Sequence, residues 1–352
     1  MDFQYSTELL DFRDSVRSFL HAHGGDERLW RRLCAELELP GLSVPPQYGG
    51  VGATLVESAI VFEEFGRALT PAPLASHVFA VHAVLIMGSE EQRQRLLPTL
   101  LGGERLAAFA ATRPEAGDPT LASASAIRVG DHTVLDGVCE PVLHGVGADL
   151  LVIPARTADV IGLYVVNAGD PGVDVEPLPS FDITRPVARV TLRQATAEPL
   201  DAAASGGLER VLDTARVLLA AEMLGGAEAC LARSVEYACT RTQFDRPIGT
   251  FQAVKHMCAE MAIEIDATRV AVMFAAMSAD DPAELAVAAP LVKAQAADTF
   301  TLCANTATQV HGGIAFTWEH DLHHYLRRAK SCEALFGGSN HHRALLADRV
   351  GL

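Results

Sequence analysis

The chain has 352 residues, 49% of them hydrophobic, with a mean hydropathy of +0.18 and a formal net charge of −16. This apolar content is enough for sizeable cores and, at this length, for two or three domains; the acidic balance disfavours nucleic acid, whose phosphates want a basic field. No apolar run reaches the ~18 residues that cross a bilayer, and the opening MDFQYSTELLDFRDSVRSFL carries acids without a basic n-region, so neither a membrane span nor a signal peptide is expected and a cytoplasmic location follows.

Residues 1–107 read as a helical N-terminal domain. STELLDFRDSVRSFLHAH has apolar residues at helical spacing and a Ser6 or Thr7 cap, TLVESAIVFEEFGRAL repeats the pattern before Pro71, and Ser89 followed by acids opens a further helix. PGLSVPPQYGGVGA between them is a Pro/Gly connector. In residues 108–203 the period changes. ASASAIRVGDHTVLDGVCEPVL, DLLVIPAR, GLYVVNA and VARVTLRQA are short, rich in Val and Ile, and divided by Gly, Asp and Pro, which predicts the strands of a small barrel or sandwich. Residues 204–352 return to long helices, with a close contact expected at Gly225-Gly226 and alanine-rich faces suited to a bundle. The fold class is therefore α+β.

Seven scattered cysteines without a CxxC pair read as reduced core thiols. Thirteen histidines, including His323-His324 and His341-His342, form no HExxH pair, so surface or partly packed histidine is expected and no metal.

Four stretches carry a resemblance when taken together and in order: GLSVPPQYGGVGATLVESAIVFEEFGRALTPAPL, GSEEQRQRLLPTLLGGERLAAFAATRPEAG, RTQFDRPIGTFQAVKHMCAEM and QVHGGIAFTWEHDLHHYLRRAK. They resemble the acyl-CoA dehydrogenase family over essentially the whole length. The resemblance implies a helical N-domain, a β-domain, a C-terminal four-helix bundle, and FAD lying between subunits. Arg241, Gln243, Phe244 and Gln252 resemble the set that reaches a neighbour's FAD, where a guanidinium matches a diphosphate by charge and fork geometry. Gln309, Gly312 and Gly313 resemble the turn whose backbone lies against that cofactor, although a helix C-cap would also explain the glycines. Thr112 stands where a threonine bonds the flavin ring edge. Asp213 and Arg216, three residues apart on one helical face, stand where the family contacts acyl-CoA; a solvated ion pair is the plainer alternative.

The same resemblance exposes departures. The family's base is a Glu that takes a proton from Cα while a hydride leaves Cβ. Its usual position, in the loop after an RDAK motif, holds Phe336 in RRAKSCEALFGG; the second known position, just before the substrate arginine, holds Ala215. Glu333 is expected to turn elsewhere, and Glu222, six residues past Arg216, is a candidate base or a structural group. The family's Trp-Ile-Thr-Asn-Gly strand corresponds to Pro141-Val142-Leu143-His144-Gly145, where neither Pro141 nor Leu143 can replace the indole stack or the ring-edge hydrogen bond.

What is lost is the set a subunit applies to its own flavin, and what is kept is the set it lends to a neighbour. The resemblance thus implies the subunit lacking the base in a heteromeric, α2β2 acyl-CoA dehydrogenase of the kind used on steroid-derived CoA esters. A Glu-bearing subunit would be its partner and an electron-transfer flavoprotein the acceptor. Two alternatives stand: a self-sufficient dehydrogenase using Glu222, or a flavin-dependent monooxygenase or oxidase of the same fold.

Overall fold

The computed structural model describes residues 5–24, 26, 28–110, 122, 124–157, 160–200 and 206–352. It begins with α1 (Thr7–His23), α2 (Leu29–Leu37), α3 (Leu55–Ala68), α4 (Leu74–Met87) and α5 (Glu90–Leu101). Side chains answer the free amides at three of these N-termini. Ser6 Oγ accepts from Leu9 N at 3.3 Å. Thr54 with Glu57, and Ser89 with Gln92, form reciprocal capping boxes. Helix α4 has no polar face to give it away in the sequence, because 12 of its 14 residues are buried. It is an interior helix, and it becomes one wall of the candidate site.

The strands are β1 (Ala107–Phe109), β2 (Ala124–Val129), β3 (His132–Leu143), β4 (Leu150–Arg156), β5 (Ile161–Asn167), β6 (Val173–Leu178) and β7 (Val187–Pro199). Their pairing closes on itself. β2, β3, β7 and β5 are neighbours in antiparallel order, β5 pairs with β4, and β4 returns to β2 in parallel. The β region is therefore a small barrel, with β1 added in parallel to β4 and β6 antiparallel to β7. Two covered faces explain why every residue of β4 but Arg156 is buried. Leu151 and Ile153 fill the barrel with Leu135 and Val190, while Leu150 and Val152 face the helices.

The C-terminal region consists of α6 (Gly207–Thr240), a hairpin of β8 (Thr242–Gln243) and β9 (Arg246–Pro247), α7 (Gln252–Met277), α8 (Pro282–His311), α9 (Leu322–Ala334) and α10 (Ser339–Val350). Helix α6 is the axis. A Cβ built on Gly225 would stand 1.8 Å from the Glu63 carbonyl oxygen, and one on Gly66 would stand 1.9 Å from that of Glu222. Each helix thus lays its backbone on the other through a glycine. A Cβ on Gly226 would meet the Phe300 ring at 2.3 Å, so the expected glycine contact is double-sided.

Two expectations need correction. Cys239 is exposed and Cys258 half-buried, because both lie near the bundle end where α6 and α7 meet the hairpin; Cys34, Cys139, Cys230, Cys303 and Cys332 are buried, and all seven are free. Histidine is also less superficial than expected. His77, His82, His144 and His342 are buried. His77 shows how this is stabilised: Nδ1 accepts from Ala107 N at 3.0 Å and Nε2 donates to Leu100 O at 3.1 Å. No described helix is long and apolar enough to cross a membrane, and no cluster of three or more metal-ligating side chains occurs among the described residues.

Candidate functional site

The loop between α9 and α10 carries Phe336 in the left-handed region, at φ +57°, followed by Gly337 at +101°. A bulky residue held there costs on the order of 1–2 kcal/mol and must be fixed by its surroundings. Two sets of contacts fix it. The Phe336 ring is 5% exposed, with its centroid 5.5 Å from Phe79 of α4 in an edge arrangement and 6.3 Å from Phe109 of β1. Below it, Lys293 of α8, fully buried, donates Nζ to the carbonyls of Glu333 at 3.3 Å and Gly337 at 3.1 Å. Burial pushes the Lys293 ammonium down to about 8. The loop is therefore a finished piece of core. Three aromatic rings meet where the resemblance expects a carboxylate and an acyl chain.

Ala215, at the second base position, is buried in α6 and offers no chemical group. Glu333 lies on α9 and pairs with Lys330 at 2.9 Å. Asp213 and Arg216 do form the expected pair, at 2.5 Å, but it is not solvated: they are 3% and 1% exposed. Arg349 of α10 closes it, reaching Asp213 at 2.9 and 3.0 Å and Glu209 at 2.9 Å. The physical reason is the C-terminal helix, which covers this part of α6 and was not foreseen as a partner.

The end of β3 leads into a second buried cluster. His144 follows Pro141 and Leu143 with φ +51° and packs near Arg185, Glu222 and Arg328. Glu222 is held between two guanidinium groups, hydrogen-bonded to Arg185 and to Arg328 at 2.5 Å. Arg328 also reaches Asp182 at 2.5 Å and Thr184 at 2.6 Å. All four charged groups are less than 5% exposed, and the cavity left among them measures about 10 Å³, room for at most one water. Burial, and the charges of Arg185 and Arg328, lower His144 to about 3, so it is neutral. A flavin ring carried by this chain itself does not fit here: aromatic rings fill one side and a closed ion network the other. Sequence reading missed Arg185, Asp182 and Arg328. One signal was available, since Arg328 stands at the acid of the family's RDAK motif, beside the retained Arg327 and Lys330.

The remaining predicted residues lie outside, at one end of the bundle. Arg241 ends α6, its N–H bonded to Tyr237 O at 2.8 Å. The turn of the β8–β9 hairpin has Phe244 at φ +53° and Asp245 at +60°, the left-handed pair of a tight hairpin. Phe244 is 85% exposed. Gln243 and Gln252 are exposed beside it. Tyr237 stacks on His311 with centroids 4.4 Å apart, which brings the end of α6 against the end of α8. There Gln309 is exposed and Gly312 and Gly313 form an open turn, with nothing within 4 Å of a built Cβ. Gly312, at φ +65°, also caps α8. The helix-cap reading of these glycines therefore holds, and their backbone is left uncovered. An exposed arginine, three exposed glutamines, a projecting aromatic and an uncovered glycine backbone are groups whose chemistry suits a dinucleotide. Thr112 lies outside the described residues.

Comparisons with known proteins agree with this architecture. The acyl-CoA dehydrogenase N-terminal domain model matches residues 6–104 and the C-terminal domain model residues 208–351. Acyl-CoA dehydrogenase IpdE2 of Mycobacterium tuberculosis is 38% identical over 332 residues, covering 90% of this chain and 89% of that protein. FadE34 of the same organism is 37% identical over 90% of this chain, which spans only 41% of that longer relative. Among solved structures, a variant of the Tcur3481–Tcur3483 steroid ACAD is 30% identical with a TM-score of 0.91 over 98% of both chains. The ChsE4–ChsE5 complex of M. tuberculosis is 27% identical with a TM-score of 0.90, covering 100% of this chain and 99% of that one. On matched models at both ends and relatives aligned over nearly the full length, the chain belongs to the acyl-CoA dehydrogenase family.

Proposed function

We propose that this chain is the subunit without a catalytic base in a heteromeric acyl-CoA dehydrogenase, and that it serves a flavin site whose ring pocket and Glu belong to a partner subunit. One observation carries this reading. The interior position of the base is occupied by Phe336, buried against Phe79 and Phe109, while Arg241, Gln243, Phe244 and the Gly312-Gly313 turn stand exposed. In a homomer both halves of the site must come from one sequence, and this sequence supplies one half.

The family is FAD-dependent, and bound FAD would supply the hydride acceptor. Arg241 would neutralise diphosphate charge, Phe244 would cover the dinucleotide, and the Gly312-Gly313 backbone would approach it closely. A heteromeric assembly and a steroid-derived CoA ester are supported by the names of two structural neighbours, a steroid ACAD and the ChsE4–ChsE5 complex; the α2β2 stoichiometry is part of the proposal. An electron-transfer flavoprotein is the acceptor this reading implies. Glu222 argues against the self-sufficient alternative, because its carboxylate is buried and bonded to Arg185 and Arg328, with no open path to a substrate carbon.

The test is expression of this chain alone and together with a Glu-bearing acyl-CoA dehydrogenase subunit from the same organism. The isolated chain should purify nearly colourless and inactive, and the co-purified complex should carry stoichiometric FAD and oxidise an acyl-CoA. A lone chain that purifies yellow and turns over acyl-CoA overturns the proposal.

A further inference from the structure

A cavity of about 650 Å³ lies in the N-terminal half, walled by the connector after α2, by α4 and α5, and by the first turns of α6. None of Phe336, Arg185 or Glu222 lines it; Phe79, one turn earlier on α4, is buried against Phe336 instead. Its size is that of a small-molecule site. One wall is apolar, formed by Pro45, Leu55, Leu85 and Ile86.

The polar lining is uneven in charge. Most buried or half-buried arginines of this acidic chain are matched to carboxylates, as Arg17, Arg67, Arg185, Arg269, Arg328 and Arg349 show. Half-buried Arg93 and exposed Arg210, which face the cavity, make no ion pair among the described residues. Arg93 Nε is buried with no hydrogen-bond partner. The carboxylates nearby do not answer them. Glu90 is in electrostatic reach of Arg93, but its oxygens are taken by Tyr48 at 2.7 Å and Gln94 at 2.8 Å. Asp280 is exposed at the rim. Neither guanidinium is therefore hydrogen-bonded to a carboxylate, and Arg93 Nε keeps a free donor at the cavity.

A neutral polar relay completes the floor. Ser58 Oγ donates to Ser43 Oγ at 3.2 Å, which leaves Ser43 to donate to His82 Nε2 at 3.1 Å. Burial lowers His82 to about 4, so the ring is uncharged and adds no further cation.

From the unpaired Arg93 and Arg210 above an apolar wall, we propose that this cavity is a second ligand site, for a free monocarboxylate with a compact apolar body. The carboxylate lies between the two guanidinium groups, and the body lies along Leu55, Leu85 and Ile86. The inference stands apart from the flavin reading and survives or fails without it.

The experiment is titration calorimetry of the full chain with sodium octanoate and, as an uncharged match of the same body, 1-octanol. Octanoate is expected to bind saturably, one per chain, and at least about tenfold more tightly than octanol, the minimum a charge-assisted hydrogen bond supplies. The Arg93→Gln/Arg210→Gln variant should lose that difference while keeping its thermal midpoint. Arg210 is exposed, so Arg210→Gln alone keeps the test open if the double variant fails to fold, with a weakening of severalfold expected. Absence of saturable octanoate binding, equal binding of octanol, or undiminished binding in folded variants overturns the site.

Discussion

Replacing Glu222 by Gln separates the two roles open to that residue. In the buried cluster two guanidinium groups, Arg185 and Arg328, face two carboxylates, Glu222 and Asp182. The substitution keeps shape but removes one negative charge, leaving a net positive charge that is more than 95% shielded from water. Breaking one partner of such a pair costs about 3–5 kcal/mol, mostly the desolvation of the charge left behind. With an unfolding entropy of about 2.1 cal/mol/K per residue, a chain of 352 residues unfolding as one unit loses roughly 4–7 °C of Tm. A second change, Arg185→Gln, restores neutrality around Arg328 and Asp182 and should recover a good part of that loss, a coupling that a double-mutant cycle measures. Calorimetry and circular dichroism on the four proteins read it directly. A Glu222→Gln protein within 1 °C of wild type, or an unchanged Tm joined to abolished acyl-CoA oxidation in the assembled enzyme, would refute the structural role and return Glu222 to the chemistry.

Two further outcomes follow from packing and titration. Gly225→Ala places a methyl group 1.8 Å from the Glu63 carbonyl oxygen; α3 and α6 must separate, and the variant should lose more than about 3 kcal/mol in urea unfolding, with soluble wild-type-like stability excluding the close crossing. Acid should destabilise the chain through its buried histidines. Burial lowers His77 and His82 to about 4 and His144 to about 3, so between the unfolded histidine value near 6.5 and pH 4 the unfolded state binds protons that the folded state refuses. Their contribution is complete above pH 6.5 and falls on the order of 1 kcal/mol per pH unit per histidine as pH drops. Glu63 opposes this in part. Burial and the charge of Glu228 push it up to about 7, so it favours folding at low pH and loses that contribution as pH rises through 7. Three histidines outweigh one carboxylate; a urea midpoint that stays flat or rises from pH 7 to pH 5 contradicts the buried neutral histidines.

The sequence by itself determined the order of helices, strands and helices, because caps such as Ser6 and Ser89 and short Val/Ile-rich runs such as DLLVIPAR are local signals. It also determined what chemistry is absent, since a Phe at position 336 and an Ala at 215 carry no proton acceptor in any fold. It did not reveal α4, whose sides are nearly all buried and which therefore has no periodic pattern to read. Nor did it reveal that Asp213 and Arg216 are sealed by Arg349, 133 positions further along from Arg216. Only tertiary structure decided those points, together with the closure of Glu222 between Arg185 and Arg328. Each depends on which distant segments share a buried volume, and ion pairs at low dielectric are set by that sharing rather than by neighbours in the chain. The same holds at the exposed end of the bundle. The motifs around Arg241 and Gly312 are separately visible in the sequence, but the stack of Tyr237 on His311 is what joins them into one surface.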